Sequence, residues 1–268
     1  MARRTARASA PRPKRPEWQE TLIFLVKLAL IVFVVRSFLI SPFVIPSGSM
    51  LPRTLIGDYL FITKWNYGYS RHSLPWSMPL IPGRVLPSTP ARGDVVVFKA
   101  PPTSDEDWIK RVIGLPGDTI QMRGGKLFLN GQAVPKQRVA DFVLPITPNS
   151  LCDPYFRDEG EDGTAICRYP QFEETLPGGA RYRILDQGFS AGDDTGIYRV
   201  PAGHVFLMGD NRDDSKDSRF PDAIGFVPME NLEGKAIVNF WSTDGSASWL
   251  APWTWPAATR WHRIGELY

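Results

Sequence analysis

A serine hydroxyl is a weak nucleophile until a neighbouring base takes its proton. Pro46-Ser47-Gly48-Ser49-Met50 sets two small hydroxyl residues either side of a glycine, behind a proline. Such a turn lifts a serine out of the chain and leaves backbone N–H groups exposed. The three histidines, His72, His204 and His262, lie in a proline-rich loop, at the start of an apolar strand and in an Arg/Trp stretch near the C-terminus. None sits in a segment suited to a Ser-His-Asp triad. Lysine replaces histidine as the base once its pKa falls by about 3 units, or about 4 kcal/mol against the charged form. Burial in apolar surroundings supplies that fall. Lys110 fits, mid-strand among Trp108, Ile109, Val112 and Ile113. Arg111 does not give up its proton. Lys216 stands among Asp213, Asp214 and Asp217, which favour its charged form. Lys99, after an apolar strand, is the second candidate base.

A third polar segment runs from Gly209 through Asp210, Asn211, Arg212, Asp213, Asp214, Ser215, Lys216, Asp217 and Ser218 to Arg219. A calcium loop beginning at Asp210 needs an oxygen ligand third, glycine sixth and glutamate twelfth. Arg212, Ser215 and Pro221 stand there instead. The alternative is a turn held by ion pairs.

Short strands must position these residues. Runs rich in β-branched and aromatic residues mark strands at 58–64, 94–99, 108–113, 119–122, 126–129, 204–208 and 235–241. Gly124-Gly125 and Asn130-Gly131 are hairpin signals. The 25 prolines and 23 glycines fit many turns, and no stretch after residue 41 keeps a helical period. The fold class is therefore all-β, of mostly antiparallel short strands, with one N-terminal membrane helix. Residues 136–200 are less regular and read as an inserted β subdomain in a catalytic β domain formed by 42–135 and 201–268.

Leu22–Ile40 is an apolar run broken only by Lys27, Arg36 and Ser37. At about 1.5 Å per residue it nearly spans a hydrocarbon core of about 30 Å. Both charges lie close enough to an end to reach a headgroup layer. Bulky Ser41-Pro42-Phe43-Val44-Ile45-Pro46 follows where a cleaved leader would have small residues. An uncleaved anchor at 21–41 is expected. Arg3, Arg4, Arg7, Arg12, Lys14 and Arg15 precede it in a basic tail, 1–20. That tail places the N-terminus in the cytoplasm and the later residues outside it. Without these six the net charge of +3 becomes −3, which leaves little case for nucleic acid as a partner. Outside the cytoplasm Cys152 and Cys167 can pair; two unrelated buried thiols are the alternative. The tryptophans Trp241, Trp249, Trp253, Trp255 and Trp261 read either as packing or as a belt at a membrane surface.

Together these segments resemble the bacterial type I signal peptidases (leader peptidases), which are Ser–Lys dyad serine peptidases. The match runs through Pro46–Met50, Arg92-Gly-Asp-Val-Val-Val-Phe98, Ile109–Asp118, Gly209–Ser215 with Asp217-Ser-Arg219, and Gly225-Phe-Val-Pro228. It extends from the anchor to the C-terminus and is weakest over 136–200. The resemblance implies Ser49 as nucleophile, Lys110 as general base and Ser215 as the hydroxyl that orients the lysine. Ser47 and the Ser49 N–H would form the oxyanion hole. Asp217 and Arg219 would be a supporting ion pair, with Asp210 and Arg111 beside it. Apolar pockets for small residues, of the Ala-x-Ala type, would be lined by Phe43, Ile45, Met50, Trp108 and Ile109. The implied partners are exported preproteins and the lipid bilayer, with the chain a monomer in the inner membrane and its catalytic domain in the periplasm. No metal or cofactor is called for. The sequence departs from the family pattern at Arg53, which interrupts a Pro-Thr-Leu run, at Asp214, where asparagine is frequent, and in a slightly longer link between Arg219 and Gly225. A self-cleaving repressor-type peptidase shares related β architecture but would be soluble and carry a DNA-binding segment. A tethered, non-catalytic binding domain is the rival from another class.

Overall fold

The computed structural model describes residues 16–268; the six basic residues of the tail lie outside them. Helix α1 spans Glu17–Val34 and passes through a wider π turn, Val35–Leu39, into strand β1, Ile40–Val44. It begins before the apolar run because Glu17 and Glu20 occupy its first turn, where carboxylates complement the helix dipole. It stops before residue 41 because Pro42 disfavours helical backbone at Ser41. The segment Glu17–Leu39 contains an 18-residue stretch of mean hydropathy 2.5 and is long and apolar enough to cross a membrane.

The chain is otherwise built of short strands. β2 (Asp58–Thr63) follows the serine loop, and β3 (Tyr69–Ser70) pairs with β4 (Arg84–Val85) in the proline-rich stretch. β5 (Val95–Lys99) and β6 (Asp107–Gly114) form an antiparallel pair in which Val96 faces Lys110. β7 (Thr119–Arg123), β8 (Lys126–Leu129) and β9 (Gln132–Ala133) make two tight hairpins. Their turns, Gly124-Gly125 and Asn130-Gly131, all have positive φ, as two-residue hairpin loops require. Then come β10 (Lys136–Arg138), β11 (Phe142–Pro145), β12 (Arg157–Glu159), β13 (Ala165–Tyr169), β14 (Gln171–Thr175), β15 (Arg181–Leu185) and β16 (Tyr198–Arg199). The last strands are β17 (His204–Met208), β18 (Val227–Pro228) and β19 (Leu232–Ser242).

The main sheet has seven strands in the order β1-β2-β19-β5-β6-β17-β18, and every pairing in it is antiparallel. β5 and β6 lie inside it and are buried on both faces, so β5 reads as a continuous apolar run and β6 as an apolar strand interrupted by Lys110 and Arg111. One cluster packs Val96, Phe98, Val112 and Leu207 with Trp108; a second packs Ile45, Met50, Leu60 and Ile109 with Phe43 and Tyr268. β16 closes on β7, while β10-β14-β15 and β11-β13-β12 form two small sheets. A disulfide joins Cys152 to Cys167. It lies in a cluster with Tyr169 and Leu185 that also holds Leu51 and Leu55, just past Ser49. The stretch 136–200 thus buttresses the serine loop from beneath.

At the other end, Trp249, Leu250 and Trp253 are exposed, while Trp241 packs edge-on against Trp261.

Candidate active site

The serine loop leaves β1 and turns at once. Leu51 N–H donates to the Gly48 carbonyl, and the Met50 side chain is fully buried, so the loop is anchored from within. Asn211 holds it from outside. Its backbone N–H donates to the Ser49 carbonyl at 3.1 Å and its Nδ2 donates to the Gly48 carbonyl at 3.1 Å. Gln187 Nε2 donates to Asn211 Oδ1 at 2.7 Å, which fixes the amide's orientation. With the carbonyls of Gly48 and Ser49 engaged, the turn is held in one conformation. Asn211 was not singled out from the sequence; its only signal there was membership of the Gly209–Arg219 run.

Lys110 reaches the serine from β6. Its Nζ lies 2.7 Å from Ser49 Oγ and 3.1 Å from the Ile109 carbonyl. The side chain is buried and passes 5.4 Å from the Trp108 ring centre. Burial lowers its pKa to about 8, with Asp217, Asp210 and Asp214 pulling the other way. At pH 8 about half of the amines are therefore neutral and able to accept a proton. Ser47 Oγ is 3.5 Å from Ser49 Oγ, at the outer edge of a hydrogen bond.

Behind the pair lies a shell of buried ion pairs. Arg111 Nε and Nη2 donate to Asp210 at 2.7 and 2.5 Å, and its Nη1 donates to the Gly93 carbonyl. Arg219 Nε and Nη2 donate to the two oxygens of Asp217, both at 2.9 Å. Arg212 donates twice to Glu174, which also accepts from the Tyr182 hydroxyl at 2.6 Å. These pairs fix Gly209: its N–H donates to Asp217 Oδ2 and its carbonyl accepts from Arg212 Nε. A Cβ at Gly209 would fall 2.2 Å from Ser215 Oγ and 2.5 Å from the Ser49 carbonyl. Only glycine fits between the two. Glu174 and Arg212 are further residues that sequence reasoning missed, because their contact spans a separation of 38 residues.

Other expected residues fall where the strands put them. Phe43, Ile45, Met50 and Ile109 meet in one apolar cluster, but Trp108 packs with the cluster on the other side of β6. Side chains alternate along a strand, so neighbours 108 and 109 cannot share a face. Ser215 Oγ is buried and makes no hydrogen bond, so the contact expected between it and Lys110 is not formed. Lys99 is held 2.6 Å from Asp107 and 3.7 Å from Glu233. Burial alone would lower its pKa, but these acids raise it overall, which suits an ion pair and not a base. A cavity of about 520 Å³ opens beside Arg111 and Tyr182, and Ser49 is not among its lining residues.

Residues 18–241 match the family model described as signal peptidase, peptidase S26. A signal peptidase I of Rickettsia typhi is 39% identical over 222 residues, covering 80% of this chain and 76% of its own. One of Rickettsia canadensis is 37% identical over 236 residues, covering 85% of this chain and 80% of its own. A solved signal peptidase I of Enterococcus faecalis V583 is 25% identical and overlays with a TM-score of 0.29, covering 55% of this chain and 97% of its own. That overlay is too loose to bear on the site.

Proposed function

The chain belongs to the signal peptidase family, peptidase S26, and from that premise we propose that it removes signal peptides from exported preproteins with a Ser49–Lys110 pair. The observation that carries this is the 2.7 Å approach of a buried lysine amine to a serine hydroxyl on a clamped turn. Neutral Lys110 accepts the Ser49 proton as Oγ attacks the scissile carbonyl. The carbonyl oxygen becomes an oxyanion, held by the Ser49 N–H and the Ser47 hydroxyl. One such donor is worth about 10²–10³ in rate. Lys110 then returns the proton to the leaving amine, and an acyl-enzyme remains. Lys110 next takes a proton from water as the water oxygen attacks the ester, and gives that proton to Ser49 Oγ as the ester C–O bond breaks. Ser215, whose Oγ is buried, spends no bond elsewhere and abuts Gly209, steadies the lysine once its hydroxyl turns toward Nζ. Asp210, Arg111, Asp217 and Arg219 hold the loop that carries it.

Phe43, Ile45, Met50 and Ile109 line the pockets for small residues of an Ala-x-Ala site, with Trp108 against the lysine stem. The apolar helix anchors the chain in the inner membrane, N-terminus in the cytoplasm, so that the sheet faces the periplasm. Exposed Trp249 and Trp253 suit a surface that rests on headgroups. Residues 42–135 and 201–268 form the catalytic domain, with 136–200 inserted. Ser49 and Lys110 come from one chain, so a monomer suffices.

The test is cleavage of a preprotein with an Ala-x-Ala site by the full chain in detergent, with product masses read out. Wild type cuts once, after the second alanine. Ser49→Ala and Lys110→Ala each lose about 10⁴-fold or more in kcat. Equal cleavage by Lys110→Ala would reject the dyad. No cleavage by folded wild type on several substrates would favour a tethered binding domain.

A further inference from the structure

A second group of charged side chains gathers where the apolar helix meets the sheet. A cavity of about 90 Å³ there is walled by Arg36, Lys64, His72, Trp76, Lys99 and Glu233, among others. It has room for a phosphate-sized group and a few waters.

Positive charge is in excess. Lys64 Nζ is 2.8 Å from Glu233, and Lys99 Nζ is 2.6 Å from Asp107. Each of these two lysines thus has an acidic neighbour. Arg36 faces the same cavity and has no acidic partner among the described residues. Burial, opposed by Lys64, pushes Glu233 up to about 7, so its negative charge is only partly present at neutrality. His72 is neutral there: burial first, then Arg71, Lys99 and Arg84, hold it at about 4. Its Nε2 accepts from Arg71 Nε at 3.2 Å and its Nδ1 donates to Ser77 Oγ at 2.9 Å. The ring braces the loop and adds no charge.

The depth of the cavity is set by the helix. Arg36 lies three residues before the end of the Glu17–Leu39 segment, about 5 Å of rise. In a spanning helix its backbone lies just inside the hydrocarbon edge, and the long side chain extends to the level of the lipid phosphates. Trp76 stands on the rim, 93% exposed. It and Ser77 have φ of 54° and 51°, a region bulky side chains rarely adopt. The loop holds an amphipathic ring outward against that preference, at the level where such rings rest in headgroups.

We propose that this cavity binds the phosphodiester of an anionic phospholipid in the leaflet beside the sheet domain, with Arg36 as the free cation and Trp76 against the glycerol region. The proposal rests on the membrane-anchored reading and is independent of the peptidase mechanism.

The full chain is reconstituted in bilayer discs of phosphatidylglycerol and phosphatidylcholine, moved to a neutral detergent, and its retained lipids are counted by native mass spectrometry. Wild type is expected to keep one phosphatidylglycerol with a preference of about fivefold or more, the size of one arginine–headgroup contact. Arg36→Gln loses the preference, and Arg36→Lys keeps part of it. Lys27→Gln, which removes the other basic residue of the helix, keeps all of it. Trp76→Ala, on an exposed loop, weakens retention and guards against misfolding of the Arg36 variants. Equal retention of both lipids, an unchanged preference in Arg36→Gln, or displacement by millimolar inorganic phosphate would overturn the proposal. Retention of neither lipid would overturn the anchored reading with it, whatever the cleavage assay gives.

Discussion

Two regions of one site treat buried charge in opposite ways. In the shell behind the serine, every arginine meets a carboxylate: Arg111 with Asp210, Arg212 with Glu174, Arg219 with Asp217. On β6 itself, one residue away, Lys110 is equally buried but has no ion pair among the described residues; its partners are a hydroxyl and a carbonyl. The shell is rigid because its charges cancel and all their hydrogen bonds are made. The lysine's charge is not cancelled, which is what the proposed base requires. Each needs the other: the paired shell holds Gly209 and Asn211, which hold the serine loop against the lysine.

Breaking a pair should cost more stability than removing the lysine. Arg212→Met leaves Glu174 charged and buried, and its expected cost is about 3–5 kcal/mol, read as a fall in denaturation midpoint. An equal midpoint would mean that the shell is not what holds the loop. Lys110→Met should move the other way. The folded-state pKa of Lys110, about 8, is below the ordinary 10.5. Below pH 8 the lysine is charged in both states, and burying that charge carries its full penalty. Above about 10.5 it is neutral in both and the penalty is gone. At pH 7 the methionine variant is expected to be inactive yet more stable, by up to about 3 kcal/mol, and that advantage shrinks as pH rises through the window. Melts at pH 7 and pH 10 test both the sign and the trend. A variant less stable at both would place the lysine among the paired, structural charges.

The same contrast explains what the sequence could carry. Ser49 and Lys110 were legible because their chemistry is written locally: a Pro-Ser-Gly-Ser turn, and a lysine among apolar neighbours. The strands around them were legible for the same reason, as were the two hairpin turns. Pairings that cross the chain left no local mark. Glu174 finds Arg212 across 38 residues, and Lys64 finds Glu233 across 169. Asn211 looked like one more polar residue until its two bonds to the serine loop were placed. Trp108 and Ile109 are both expected beside the apolar pockets, and the period of two along the strand sets them in different clusters. Ser215 is the subtler case: its position beside Gly209 follows from the loop, but its hydrogen bonding depends on a rotamer that no sequence pattern encodes.

Asp214 sharpens the comparison most finely, because it is a charge near Lys110 that belongs to neither region. It has no ion pair among the described residues, unlike Asp210 and Asp217, and its side chain is exposed. A Cβ at Gly48 would lie 3.7 Å from its Oδ2, so it stands at the rim of the serine loop. Asp217 raises the Lys110 pKa, but its partner Arg219 lowers it. Asp214 has no such counterweight. Its negative charge favours the ammonium, so Asp214→Asn is expected to shift the acidic limb of the pH–rate profile, on which Lys110 loses its proton, to lower pH. Solvent screening of an exposed carboxylate keeps that shift to about half a unit or less. It should shrink further in high salt, whereas the position set by burial should not move. A rise in the apparent pKa would refute the assignment. A salt-independent fall would mean that Asp214 acts by contact with the loop and not through its field.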